Sequence, residues 1–464
     1  MTSARTGRIA IVGGGITGLA AAWELARSGM LPVVFEADAR LGGKIRTSSL
    51  GGLPHVDEGP DAFLARVPFA VELAGELDLG ERLVAPATGT AFVAHAGRLH
   101  PIPAGLVLGV PAGLAGLARS HLLSWRGKAR AALDIALPRR SIAHDSLGKV
   151  IRDRFGDEVL ERLVDPLVGS INAGGADELS ILASTPQIAA AAERSRSLLI
   201  GLRTTPPSGT GPVFLTPRSG MASLVERLVA SLCEAGTDLR TSTAVTSIEP
   251  APAGDGHLVN GEAFDAVIIT TPAFVTAPLL RPLLPDVADA LDRIPYAGVV
   301  MVSLTAQGDA LRGVPAGSGY LVPKPEQGHV TAVSLASRKW AHWQQPDGTE
   351  VLRISLGRHG RQAPLDMDDD LVLATALSEV SGHLRLDTEL VPSAVRITRW
   401  QRAFPQYLPH HLDRIDEIEA AVSAAHPTLV LAGAGFRGIG IPACIRQGRA
   451  AASAMTQHAV GSRE

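Results

Sequence analysis

The chain has 464 residues, 46% hydrophobic and 19% charged, enough for two or three domains around a large buried core and unlike a disordered chain. Basic and acidic residues nearly cancel, to a formal charge of -3, and are interspersed, which excludes a polycationic surface for nucleic-acid phosphates. Cys233 and Cys444 stand far apart and outside any Cys/His spacing, which argues against a disulfide framework, a metal site or an iron–sulfur cluster and points to a reducing compartment.

The first predicted element is a strand, Arg8 to Val12, reached directly from Met1 to Gly7 with no apolar leader. A cytoplasmic location is expected, with peripheral membrane contact left open. The strand runs into Gly13-Gly14-Gly15-Ile16-Thr17-Gly18 and an apolar helix through Arg27 that Gly29 ends. Strand, glycine turn and helix form a dinucleotide fingerprint. Gly13 permits the sharp turn, Gly15 lets a pyrophosphate approach the helix N-terminus, and Gly18 lets the helix pack closely on the strand. The second strand, Leu31 to Phe35, ends in Glu36, eighteen residues beyond Gly18, where an acid accepts the ribose hydroxyls and disfavours a 2′-phosphate. Arg40-Leu41-Gly42-Gly43-Lys44-Ile45-Arg46-Thr47 then adds a second glycine pair with Lys44 and Arg46 to offset phosphate charge, which favours FAD over NAD.

Pro101 to Ala118 is uncharged but carries three prolines and is shorter than the ~20 residues of a membrane-crossing helix. It reads as a buried loop plus helix, or as an apolar channel mouth or interfacial patch. Helical patterns follow, such as Ser146 to Leu163. A helix from Gly220 to near Gly236 leads into a strand from Leu239 to Val245, and Asp265 to Thr271 is a buried-type strand stopped by Pro272. Gly298 to Leu304 shows β-branched alternation. Leu429 to Gly435 is another buried strand, followed by Phe436-Arg437-Gly438-Ile439-Gly440-Ile441-Pro442 and a closing helix that holds Cys444 in its packing.

The Arg40 to Thr47 run resembles the R-x-G-G-R/K-x-x-S/T element of the superfamily of FAD enzymes that includes monoamine oxidase, phytoene desaturase and protoporphyrinogen oxidase. That resemblance implies an α/β fold: an FAD-binding Rossmann-like (GR2-type) domain assembled from discontinuous segments 1–65, 216–290 and 425–464. It leaves 66–215 as a mainly helical substrate-channel domain and 291–424 as a mixed α+β substrate-binding domain. It further implies FAD contacts at Gly13, Gly14, Gly15, Ile16, Thr17, Gly18, Glu36, Ala37, Gly43, Lys44, Gly59, Pro60, Asp61, Ala62, Val245, Trp400, Gly438, Ile439 and Gly440. Val245 would meet the adenine, and the last helix would point its N-terminus at the isoalloxazine.

Over nearly its whole length the chain resembles the bacterial protoporphyrinogen and coproporphyrinogen III oxidases. Glu58-Gly59-Pro60-Asp61-Ala62-Phe63-Leu64, Arg98-Leu99-His100-Pro101-Ile102-Pro103, Asn172 to Ser180, Pro405-Gln406-Tyr407 and Gly433 to Pro442 follow in family order. Ala62 replaces a usual serine, Ala443 a usual aspartate, and Leu408-Pro409-His410-His411 departs from the family's glycine–histidine ending. The resemblance implies six-electron oxidation of a porphyrinogen, with O2 as acceptor and H2O2 as product. The flavin does the hard step, so no catalytic acid/base pair is assigned; Tyr407, His410 and His411 read mainly as cavity lining. Candidate partners for the substrate carboxylates are Arg66, Arg98, Arg402 and Arg437, with Tyr407 also on the substrate list. Coproporphyrinogen III is the preferred substrate, ahead of protoporphyrinogen IX, a carotenoid or amine substrate, or a flavin scaffold without turnover. Monomer or homodimer, and docking of a partner chelatase, stay open.

Overall fold

The computed structural model describes residues 7–204, 211–252 and 256–461. Residues 1–6, on which the reading of no leader rests, lie outside them. In chain order the elements used below are β1 (Arg8–Val12), α1 (Ile16–Arg27), β2 (Leu31–Phe35), β3 (Phe92–His95), β4 (Arg98–Pro101), α2 (Asp165–Asn172) and α3 (Ala222–Glu234). There follow β5 (Asp238–Arg240), β6 (Ala266–Ile269), β7 (Tyr296–Gln307), β8 (Gly319–Leu321), β9 (Val330–Leu335) and β10 (Thr349–Leu356). The last are β11 (Pro392–Pro405), α4 (His411–Ala425), β12 (Leu429–Leu431) and α5 (Ile441–Gly461).

Five parallel strands in the order β5-β2-β1-β6-β12 form one sheet. Parallel strands are buried on both faces, and the apolar runs of β1 and β6 supply both. Ile9, Ile11 and Val34 face Leu19, Leu25, Leu224, Leu228 and Ile445 of α1, α3 and α5. Val12, Val33, Phe35, Val267 and Ile269 face the other way, toward Leu280, Leu291 and Ile418. The sheet thus takes strands from the start, middle and end of the chain, and their carboxyl ends share one edge, where ligands of open parallel sheets bind.

A second sheet runs β11-β7-β10-β9-β8-β3-β4, antiparallel except where β8 meets β3. Its apolar face, with Val300, Val302, Leu304, Leu352 and Ile354, packs on a helix through Val372, Ala376 and Val380. Here the structure departs from expectation. Few strand signals are apparent in 66–215, yet β3 and β4 come from that stretch and extend this sheet; their pairing is a long-range event that local pattern does not report. The helical part of the stretch closes on Leu147, Ile151, Phe155, Leu163, Val164 and Val168.

Two further readings change. The strand predicted to reach Val245 stops at Arg240, and residues 243–247 are held by loop contacts, Thr243 N–H to Glu36 O and Asn260 to Thr246 and Ser247. In Pro101 to Ala118 a small hairpin, Leu106–Val107 with Val110–Pro111, precedes a short helix, Leu114–Arg119. These residues border a groove of about 500 Å3 lined by Ile102, Pro103, Ala104, Ala112, Ala115 and Arg119. Leu114 beside it is half exposed, and Trp125, on the adjoining helix, is 75% exposed. Among the described residues no helix is long and apolar enough to cross a membrane.

Candidate active site

At the carboxyl end of β1 the chain turns at Gly13 with φ +107°, and its N–H bonds Phe35 O at 2.8 Å. A Cβ on Gly18 would stand 2.0 Å from Gly13 O, so α1 meets the turn at backbone contact. Gly15 is the opposite case: its φ of -73° suits any residue, and a Cβ there would meet no atom within 4 Å. The space beyond Gly15 is therefore not used by the fold. It opens at the uncapped N-terminus of α1, whose first-turn N–H groups are preorganised for a phosphate, with Ile16 and Thr17 buried behind.

The second glycine run lies against the first. Gly42 N–H bonds Gly14 O at 2.8 Å, and a Cβ on Gly43 would sit 3.4 Å from Gly15 Cα. Arg40 clamps this loop by donating to Leu41 O and Ile45 O, both at 3.2 Å, and to Gly43 O. Glu36 accepts from the N–H groups of Gly14 at 2.8 Å and Asp38 at 2.9 Å, which leaves carboxylate lone pairs for a ribose. Ala37 follows it, exposed. The N–H and C=O of Val245, close by, have no backbone partner among the described residues. A phosphate cradle, a ribose acid and an open backbone pair together fit an adenine dinucleotide.

Two of the expected phosphate cations are engaged elsewhere. Lys44 Nζ donates to Ala403 O, at the end of β11, and burial pushes its pKa down. Arg46 pairs with Glu58 at 3.1 Å. Charge on the diphosphate is thus left chiefly to the helix N-terminus.

Asp61 also departs from expectation. Its carboxylate is enclosed by Lys339 at 2.9 Å, Trp340 Nε1 at 3.1 Å and Arg353 at 3.2 Å. Burial by itself would raise its pKa, but Lys339 and Arg353 hold it well below the usual carboxylate range. Ala62 packs toward Leu50, Val56, Trp340 and Trp343. These two side chains therefore anchor the segment within the protein. Arg353 donates to Gly59 O, and Trp400 Nε1 donates to Glu58 O at 3.0 Å, its ring 3.3 Å from where a Gly59 Cβ would lie.

Just before this segment, Asp57 is buried. Its Oδ1 accepts from Met221 N at 2.9 Å and from Thr47 Oγ1, capping α3 from outside, while Oδ2 has no partner. Burial pushes its pKa up to about 6. The folded chain then holds a proton that the unfolded chain has released, so stability falls as pH rises from about 4 to about 6 and levels above, by up to about 3 kcal/mol. Asp57→Asn is expected to remove that step; melting temperatures at pH 4.5 and 7 check it, and an unchanged difference between them would contradict this account.

The third segment runs from β12 through Gly433 to Gly440 into α5. Gln447 holds the loop from inside the helix: its Oε1 accepts from Arg437 N at 3.1 Å and Gly433 N at 3.4 Å, and its Nε2 donates to Gly438 O at 3.2 Å. A Cβ on Gly448 would stand 2.2 Å from Thr17 O, so α5 crosses α1 at contact. Cys444 is buried, with its thiol pKa pushed up by burial, as a packing residue rather than a nucleophile. A Cβ on Gly42 would lie 3.0 Å from Val225 of α3, so all three segments meet around the glycine turns.

Of the proposed substrate residues, two turn inward or are spoken for. Tyr407 is buried, its Oη donating to Ala434 O at 2.6 Å and accepting from Gly438 N at 2.8 Å. Arg437 is neutralised by Glu419 at 3.1 Å and by Asp416. Arg98 lies on β4, the sheet edge opposite β11 and Trp400, six strand spacings or roughly 29 Å away. Arg66 and Arg402 are exposed and have no carboxylate partner among the described residues. Arg402 sits in a bulge of β11 with φ +41°, its guanidinium 3.8 Å over the Phe274 ring. His410 pairs with Asp413 at the surface. Asp57, Lys339, Arg353 and Gln447 were not foreseen: Lys339 and Arg353 reach the site from distant elements, while Asp57 and Gln447 adjoin recognised segments and only their contacts in the fold reveal them.

Residues 16–456 match the family described as flavin containing amine oxidoreductase. The chain belongs to that family. FAD is the cofactor. The chain is 35% identical over 463 residues to the coproporphyrinogen III oxidase of Bacillus subtilis, covering 96% of this chain and 97% of that one. It is 33% identical to the coproporphyrinogen III oxidase of Propionibacterium freudenreichii, covering 98% and 92%. A crystal structure from an Exiguobacterium species, provisionally assigned as a protoporphyrinogen oxidase, superposes with a TM-score of 0.84 at 31% identity, covering 98% and 100%. Within this flavin family, the porphyrinogen oxidases thus match the whole chain, including the second sheet and the helical stretch.

Proposed function

We propose that this flavoenzyme oxidises coproporphyrinogen III to coproporphyrin III by removal of six electrons, with O2 as acceptor and H2O2 as product, in haem formation. The observation that carries this is end-to-end similarity to coproporphyrinogen III oxidases; the packed glycine turns and the contact of Trp400 with Gly59 support it. Bound FAD supplies the two-electron acceptor.

The chain's own residues supply position and dryness. Trp400, Ala173, Ala297, Val299 and Phe404 form an apolar cluster at the ring end. Neither His411 nor Tyr407 is poised as a base. Burial drives the His411 pKa down to about 4, and its Nε2 is spent on Phe436 O at 2.8 Å. Burial holds the Tyr407 phenol protonated. Protons released by the macrocycle pass to solvent in this reading, and no residue is assigned as catalytic. Arg402, unpaired by any acid and held over Phe274, is the cation assigned to a substrate carboxylate. The exposed apolar residues Leu114 and Trp125 beside the groove support reading it as the candidate surface for peripheral contact with a lipid surface or a partner chelatase.

A protoporphyrinogen substrate is the second reading, favoured by the structural similarity to the Exiguobacterium protein. Anaerobic bleaching of the flavin by coproporphyrinogen III, followed by peroxide release on aeration, is the expected result. Arg402→Ala should lower kcat/KM for the four-carboxylate substrate about ten-fold, at ~1.5 kcal/mol per charge-assisted bond, and less for the two-carboxylate one. Equal losses for both would remove Arg402 from the reading, and bleaching only by amines or carotenoids would remove the substrate.

A further inference from the structure

We propose that Gln406 and Tyr407, adjacent in sequence, are positioning residues that act in opposite directions from one buried point: Gln406 sets the Asn172–Gly175 turn on the substrate side, and Tyr407 sets the Gly433–Gly440 loop on the flavin side. The assignment of these two sides rests on the flavin-dependent reading above.

The turn after α2 is the first half. Ala173 has φ +47° and packs with Ala297, Val299, Trp400 and Phe404, so this turn is part of the ring-end wall. A left-handed alanine persists only where its surroundings hold it. Three of the turn's four carbonyls are held from outside: Asn172 O by Gln406 Nε2 at 2.9 Å, Ala173 O by His359 N at 2.7 Å, and Gly174 O by Arg358. Gln406 is itself fixed, buried at 2% exposure, with its N–H on Pro295 O at 2.8 Å.

Tyr407 aims the other way. Its hydroxyl bridges Ala434 O and Gly438 N, and its ring stacks on His411 at 4.2 Å, with His411 in turn bound to Phe436 O. One side chain and its stacking partner thus hold both ends and the middle of the loop. Gly438 spends its N–H on Tyr407, whereas those of Ala434, Gly435, Ile439 and Gly440 have no hydrogen-bond partner among the described residues. The phenol thus withdraws the Gly438 N–H from the donors left to the flavin. The Tyr407 carbonyl accepts from Ser180 N at 2.7 Å, which ties the same point to the stretch beyond the substrate-side turn.

The two directions separate in experiment on the FAD holoenzyme. Tyr407→Phe keeps the stack and removes both hydroxyl bonds. It is expected to weaken FAD binding roughly ten-fold or more, alter the visible flavin spectrum and make the midpoint potential more negative, with KM little changed. Gly438→Ala, whose Cβ would stand 2.7 Å from Ala443 Cβ at φ +127°, disturbs the same loop from its other side and should give the same flavin signature. Gln406→Leu is expected to raise KM for coproporphyrinogen III about ten-fold with spectrum and potential unchanged. Tyr320→Phe, which loses a bond from the second sheet to His383 of the helix packed on it, should cost stability and leave the flavin untouched. Unchanged FAD affinity, spectrum and potential in Tyr407→Phe, or in Gly438→Ala should the former not fold, would overturn the proposal; so would a common signature for Gln406→Leu and Tyr407→Phe. The flavin readouts need no substrate, so a wild-type enzyme inert toward coproporphyrinogen III would refute the substrate assignment and leave the Tyr407 half standing.

Discussion

Gly15→Val is expected to give a folded, colourless protein. At most of the packed turn a side chain collides with the fold itself; Gly18, 2.0 Å from a carbonyl oxygen, is the extreme. At Gly15 the backbone already has a φ acceptable to valine and the Cβ meets empty space, so the apo protein loses only about 1 kcal/mol, the usual cost of a poor N-cap. The isopropyl group would instead occupy the phosphate cradle and cover the N–H groups of α1. FAD affinity is expected to fall at least a hundred-fold, or about 3 kcal/mol. The check is flavin content by absorbance, beside thermal melts of apo protein. A variant that purifies yellow at wild-type occupancy would place the diphosphate elsewhere.

The second large effect is expected at Asp61→Ala. Removing this carboxylate leaves Lys339 and Arg353 facing each other in a half-buried site, and breaking such a pair on one side costs about 3–5 kcal/mol. The loss should appear as a lower denaturant midpoint. Because the folded pKa of Asp61 lies below its unfolded value, its contribution is present above the ordinary carboxylate range and is lost on acidification through and below it. The variant should therefore differ most from wild type at neutral pH and approach it as pH falls. Arg353, no longer aligned, also releases Gly59 O, so FAD binding should weaken as well. Lys339→Met in the same chain should recover part of the stability by removing one orphaned cation; no recovery would mean that the cluster is not what holds this segment.

The difference between Asp61 and Glu36 shows how far local pattern reaches. Glu36 is placed by its own strand and by the glycine turn it follows, and its carboxylate lies where the spacing puts it. Asp61 sits in an equally recognisable motif, but its partners come from residues 339, 340 and 353, and nothing near position 61 announces them. Arg437 failed as a carboxylate receptor for the same reason: Asp416 and Glu419 of α4 reach it only in the folded chain. The strand predicted to reach Val245 stops short of it, and the neighbours of Val245 are held instead by Glu36 O on Thr243 N–H and by Asn260 on Thr246 N–H rather than by sheet pairing.

Short-range geometry is what can be read along the chain. The two strand–glycine–helix units, the acid that ends β2 and the order of the motifs follow from steric rules acting over a few residues. Which charges remain free follows from the folded chain alone, because the partner that spends a charge lies outside its motif, 18 positions away for Arg437 and Glu419 and 278 for Lys339 and Asp61. The same holds for β3 and β4 joining the second sheet, and for one tyrosine holding the flavin loop from outside. These contacts lie between residues whose separation along the chain carries no periodic signal, so only folding brings them together.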